Sequence, residues 1–155
     1  MLLARPLYAT DGTARVLYYA LLTLWIGGEL AILMRSLPRR DAQRRDRGSF
    51  LVVFASIFVG FALGSAMVSA VPAAAVGGAR STVFFLGTAV MAIGIALRFY
   101  AVAVLGRFFT FVVMVGGDQH IVNTGPYRWV RHPSYTGSLL TVTGALLAAT
   151  NRAAL

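Results

Sequence analysis

Apolar residues gather in four long runs with short polar gaps between them, at about 15–34, 50–71, 81–104 and 134–150. A helix rising about 1.5 Å per residue needs about 20 residues to cross a hydrocarbon core about 30 Å thick, and each run approaches that length. Pro72 ends the second run. The pattern predicts an all-α integral membrane protein, a four-transmembrane-helix bundle forming a single membrane domain over residues 1–155. Small residues recur inside the runs, as Gly27 and Gly28, Gly60 and Gly64, Gly87 and Gly94, and Gly137 and Gly144. Small side chains let helix backbones approach closely, so the helices are expected to pack together, and the same faces allow a homo-oligomer.

Composition agrees with lipid as the solvent: 58% of residues are hydrophobic and 12% charged, and the mean hydropathy is +0.75. The net charge of +9 comes from arginine alone, because there is no lysine. Such a balance could indicate nucleic acid, but most of the arginines lie in the gaps between apolar runs, where they orient helices in a membrane. Arg35, Arg39, Arg40, Arg44, Arg45 and Arg47 crowd the first gap, whereas the gap from Pro72 holds only Arg80. The positive-inside rule then puts the first gap in the cytoplasm and the N-terminus outside. A second cytosolic segment follows at 105–133, with Arg107, Arg128 and Arg131. The six-arginine gap reads first as a topological anchor attracted to anionic headgroups. Without cysteine there is no disulfide or thiolate chemistry, and two histidines, His120 and His132, are too few for a metal centre. No cleavable signal peptide is evident, since the first apolar run carries Glu29 and no cleavage site precedes a soluble region.

Three features interrupt the apolar pattern. Residues 108–122 form two β-prone pieces around Gly116-Gly117-Asp118, with Asp118 as a turn residue, which fits a short hairpin at the membrane surface or a re-entrant helix. Glu29, the only glutamate, lies within the first run, and Arg98 lies within the third, both near the cytoplasmic end. An acid at that depth is a functional candidate; the plainer reading pairs it with Arg98 or lets it snorkel to the surface.

The densest polar segment is Asn123 to Gly137, which leads into the fourth run and reads NTGPYRWVRHPSYTG. Pro126 and Pro133 stiffen it, and Gly125 permits backbone geometry that other residues resist. Pro133 suits the first turn of a helix, whose unpaired amides next to Arg128, Arg131 and His132 favour an anion. Tyr127, Trp129 and Tyr135 could pack an adenine ring or a sulfonium. Taken only as residue types, the segment fits an interfacial belt of aromatics and arginines equally well.

The order of these residues is similar to a known signature. Gly125-Pro126-Tyr127-Arg128, followed by Arg131-His132-Pro133, Tyr135 and Gly137, resembles the Gly-Pro-Tyr-Arg and Arg-His-Pro-x-Tyr-x-Gly pattern of the isoprenylcysteine carboxyl methyltransferase and phospholipid methyltransferase superfamily. Leu105-Gly106-Arg107-Phe108-Phe109-Thr110 looks like the stretch that precedes it in bacterial members, which implies a bacterial inner membrane. The resemblance covers roughly Arg98 to Gly144. It implies a small membrane bundle whose cytosolic cap holds S-adenosylmethionine while a lipophilic or lipidated acceptor, isoprenylcysteine-like or phospholipid-like, arrives from the bilayer. Carried onto this chain, it implies that His132, Pro133, Tyr135, Tyr127, Gly125 and Gly137 form the cofactor pocket. Arg131, Arg128 and His132 are then the catalytic candidates, with Arg98, Glu29 and Arg107 for the acceptor and no metal. Members of the superfamily continue past this point into a further span and a paired-glutamate tail, whereas this sequence stops at Leu155 and has no Glu-Glu pair. Two alternatives therefore stand beside the methyltransferase: a non-catalytic or truncated scaffold of the same fold, and an NADPH-dependent enzyme of the sterol-reductase type.

Overall fold

The computed structural model describes residues 6–36, 49–71, 78–106 and 124–151, whose regular structure is helical. A single turn, α1 (Leu7–Thr10), precedes α2 (Gly12–Ser36), α3 (Ser49–Ala70) and α4 (Arg80–Leu105). A 3₁₀ turn at Gly125–Arg128 leads into α5 (Pro133–Ala148). The four long helices follow the four apolar runs to within a few residues at each end. The hairpin or re-entrant helix expected at 108–122, Arg107, and five of the six arginines of the first gap lie outside the described residues.

Local chemistry accounts for the helix starts. Asp11 stands just before α2 and accepts from the backbone N–H of Ala14 at 2.7 Å, capping an otherwise unpaired amide. Arg35 in the last turn of α2 complements the negative end of the helix dipole. Arg80, the first residue of α4, donates to the Pro6 carbonyl at 2.7 Å and to the Thr10 hydroxyl at 2.5 Å, which ties the short α1 to α4. Tyr8 of α1 stacks on Tyr18 of α2 with ring centroids 4.3 Å apart, and burial beside Tyr19 raises the pKa of the Tyr8 hydroxyl.

Helices α2 (over Gly12–Arg35) and α4 (Arg80–Leu105) are long and apolar enough to cross a membrane. Helix α3 has 22 residues. Helix α5 has 16, about 24 Å at ~1.5 Å per residue, which is short of a full hydrocarbon core. Large apolar side chains point outward along these helices, among them Leu30 and Met34 on α2, Leu63 on α3, Ile93 on α4 and Leu139 on α5. Inside, Trp25 is fully buried and stacks on Phe58, with Phe61 edge-on, and Phe84, Met91 and Ile95 of α4 meet Ala145 and Ala148 of α5.

Helices α4 and α5 run antiparallel and nearly touch. Gly87 faces Ala148, Gly144 faces Met91, Gly94 faces Thr141 and Gly137 faces Arg98; at all four glycines a Cβ would come under 3.0 Å from the opposing backbone. The expectation of small-residue packing holds at this seam. Elsewhere Gly28 faces the Phe99 ring, while Gly27 and Gly60 meet nothing within 4 Å. Polar atoms close the end of the bundle away from the signature segment: Tyr18 donates its hydroxyl to the Ala145 carbonyl at 3.4 Å, and Asn151 donates to the Val68 and Val71 carbonyls at the C-terminus of α3.

A methyl group added in the seam has nowhere to go. Gly144→Ala is expected to lower stability by about 1–3 kcal/mol through overpacking. Gly60→Ala, in open space, is expected to be neutral or slightly stabilising. Thermal unfolding of the two variants in detergent checks the contrast.

Candidate functional site

The signature segment is held against the end of α4. Gly125 has φ of +57°, and a Cβ there would lie 2.9 Å from Val104 Cγ2 and 3.1 Å from the Tyr100 hydroxyl oxygen, so glycine serves both the conformation and the space. Buried Pro126 then opens the 3₁₀ turn, and its carbonyl accepts from the N–H groups of Trp129 and Val130. Tyr127 donates its hydroxyl to the Ala101 carbonyl on α4 at 3.3 Å. Burial raises the pKa of that hydroxyl, and the positive charge of Arg98 opposes the shift.

His132 precedes α5, and Pro133 takes the first helical position, as its fixed φ and missing N–H favour. The His132 carbonyl accepts from both the N–H and the hydroxyl of Thr136. By helix geometry the N–H groups of Ser134 and Tyr135 have no carbonyl one turn back, and they carry the positive end of the helix dipole. Around them the exposed side chains are Arg131, His132 and Tyr135, the last 50% exposed, with the two rings 6.0 Å apart and tilted. One turn earlier, Trp129 is 82% exposed and the Arg128 guanidinium lies 5.6 Å from its ring centroid, a cation–π contact. The segment thus divides into a buried framework of Pro126, Pro133, Ser134 and Gly137 and an outward group of Arg128, Trp129, Arg131, His132 and Tyr135.

Beneath the start of α5 lies a buried ion pair. Arg98 is 5% exposed and Glu29 4%. The Arg98 Nε donates to Glu29 Oε1 at 2.8 Å and Nη2 donates to Oε2 at 2.9 Å, a bidentate fork between α4 and α2. The remaining terminal nitrogen, Nη1, donates to the Ser134 hydroxyl on α5. Two of the three acceptor candidates, Arg98 and Glu29, are therefore brought together, as the plainer reading of Glu29 anticipated.

Gly137, placed by resemblance in the cofactor pocket, faces α4, with the Arg98 backbone nitrogen where its Cβ would be. Tyr127 is half-buried against α4, while Arg128 and Arg131 are exposed. Ser134 was not singled out from the sequence, although it is a hydroxyl at the start of an apolar helix and next to the signature histidine. That placement was the one available signal. Among the described residues no group of three or more His, Asp or Glu side chains could hold a metal ion.

Comparison with known proteins now bears on this geometry. Residues 85–155 match the isoprenylcysteine carboxyl methyltransferase (ICMT) family, a stretch that includes most of α4, the signature segment and all of α5. That part of the chain is similar to the ICMT family. Two rice proteins, from Oryza sativa subsp. indica and subsp. japonica, are each named probable protein-S-isoprenylcysteine O-methyltransferase and are 39% identical to the chain over 64 residues. The alignment covers 40% of this chain and 34% of each rice protein, so the chain spans about a third of the length of the curated relatives it matches. No solved structure matches. The ICMT match begins at the first turns of α4, so Arg98 falls inside it, whereas Glu29 comes from the part of the chain that precedes it.

Removing one partner of the buried pair strands the other charge. Glu29→Ala is expected to destabilise the protein by about 3–5 kcal/mol, and replacing both Glu29 and Arg98 by leucine or methionine to recover most of that loss. Unfolding midpoints of the single and double variants check this double-mutant cycle.

Proposed function

We propose that the chain is the membrane-embedded part of an S-adenosylmethionine-dependent methyltransferase acting on a lipophilic acceptor, either an isoprenylcysteine-like carboxylate or a phospholipid-like headgroup. All four long helices are read as membrane elements of one domain, with the N-terminus outside and the signature segment at the cytoplasmic face. The observation that carries the reading is the outward cluster at the start of α5. Two rings, His132 and Tyr135, stand 6.0 Å apart beside unpaired helix amides and Arg131, at the end of an apolar bundle.

These residues suit the chemistry of the donor. Its amino-acid carboxylate matches the α5 amides and Arg131, and His132 is placed to hydrogen-bond the same part. Its sulfonium and adenine match the faces of Tyr135 and Trp129. When bound, the cofactor supplies an electrophilic methyl group on sulfur. The chain's residues are left to orient the two reactants and exclude water, since an in-line displacement needs little covalent help. A carboxylate acceptor is already a nucleophile at neutral pH, so an exposed arginine, Arg128 or Arg131, suffices to hold it. An amine acceptor must first lose a proton, and His132 is the base within the described segment. Arg98 and Glu29, with each other as partners, are read as support for the site rather than as acceptor contacts.

Two measurements test the proposal. Calorimetry on purified protein is expected to detect S-adenosylhomocysteine binding that His132→Ala weakens about tenfold or more, the worth of one hydrogen bond to a charged group. Heat from NADPH instead points to a reductase, and no nucleotide binding points to a scaffold. Because the sequence contains no cysteine, Arg131→Cys introduces a unique thiol. A membrane-impermeant maleimide is expected to label it in inside-out vesicles and not in intact cells, and the reverse result places the cluster on the wrong side.

A further inference from the structure

We propose that Arg98 is a positioning residue, a three-way latch that sets the orientation of the first turn of α5 by holding Glu29 of α2 and Ser134 of α5 on one guanidinium. The functional part of the inference rests on the reading of the α5 start as the donor site. The latch itself does not.

The geometry assigns each face of the guanidinium a separate helix. Nε and Nη2 take the two carboxylate oxygens of Glu29, and Nη1 takes the Ser134 hydroxyl. A guanidinium is planar and its donors point in fixed directions, so fixing two of them on a carboxylate fixes the third. Ser134 lies between Pro133, buried against the bundle, and Tyr135, which faces outward, and is two residues from His132. A small rotation of α5 about its axis moves Ser134 away from Nη1 and carries the His132 and Tyr135 rings with it. In a buried setting an abandoned guanidinium donor is costly, so one rotation of α5 is favoured over its neighbours.

Cohesion alone does not require this arrangement. From Gly87 and Ala148 to Gly94 and Thr141, α4 and α5 are already held by backbone contact at small residues. Charge enters the seam only where α4 meets the signature end of α5. A buried ion pair is no more stabilising than well-packed apolar residues of the same volume, and its best-attested use is to specify one arrangement among several. The hydroxyls of Ser138 and Thr141 on the same helix donate back to the Ser134 and Gly137 carbonyls, a pattern that slightly destabilises and bends helices, so an external hold has something to correct.

The test uses the full chain in lipid nanodiscs and the variant Ser134→Ala, which leaves the Arg98–Glu29 fork in place. Amide hydrogen exchange, measured without nucleotide, is expected to speed up about tenfold at residues 136–138 while α3 and the middle of α4 are unchanged. The unfolding midpoint is expected to stay within about 3 °C of wild type, and S-adenosylhomocysteine affinity to fall about tenfold. Arg98→Lys, which keeps the charge but loses the fork, is expected to give the same exchange pattern. Wild-type exchange at 136–138 in Ser134→Ala overturns the latch, as does a rise spread evenly over all helices. Faster exchange confined to 136–138 in a protein whose wild type binds no S-adenosylhomocysteine supports the latch and sinks the donor reading instead.

Discussion

The contact on which the rest depends is the near-touching of two backbones. Glycines seven residues apart on α4, Gly87 and Gly94, and seven apart on α5, Gly137 and Gly144, remove the side chains that would hold the helices at ordinary spacing. In lipid this packing has to come from close contact and hydrogen bonding, because the surrounding acyl chains are as apolar as the helix faces. One consequence is purely geometric. With the helix axes this close, the Arg98 side chain reaches Glu29 and Ser134 while remaining buried. At ordinary separation the same charge would have to find water or stay unpaired, which an apolar interior makes expensive.

The same economy separates rigid from available groups in the signature. Pro126 and Pro133 are buried and set the backbone, and Tyr127 secures the 3₁₀ turn to α4. Their neighbours in sequence, Arg128, Trp129, Arg131, His132 and Tyr135, are turned outward. Alternation of this kind lets a short loop be stiff and still present several polar and aromatic groups in one direction, which is what recognition of a charged soluble molecule beside a bilayer requires.

Much of this was legible in the residues. The four long helices follow directly from run length, the start of α5 from Pro133, and the similarity to the ICMT family from the ordered signature. Other features depend on contacts between distant positions that no local pattern encodes. Nothing in the spacing distinguishes Gly87, where a Cβ would strike Ala148, from Gly60, where a Cβ would meet nothing within 4 Å among the described residues. Pairing of Glu29 with Arg98 was one of two open readings, because depth alone cannot tell a partnered acid from one awaiting a ligand. Ser134 was overlooked since a serine near a helix start is common, and its significance lies entirely in what α4 places opposite it. The short α1 was missed because a single turn leaves no periodicity, and it owes its place to Arg80 and the Tyr8–Tyr18 stack.

The brevity of α5 has a consequence for the lipid around it. A helix of 16 residues set among longer ones creates a hydrophobic mismatch, and a bilayer meets such a mismatch by thinning locally or by letting flanking residues reach outward. Arg128, Trp129 and Arg131 are gathered at that end. On the proposed membrane reading, these side chains would draw phosphate headgroups inward, and the polar layer would dip toward His132 and Tyr135. An amphiphile in such a leaflet would then bring its head to the level of those rings with its tail still solvated by lipid.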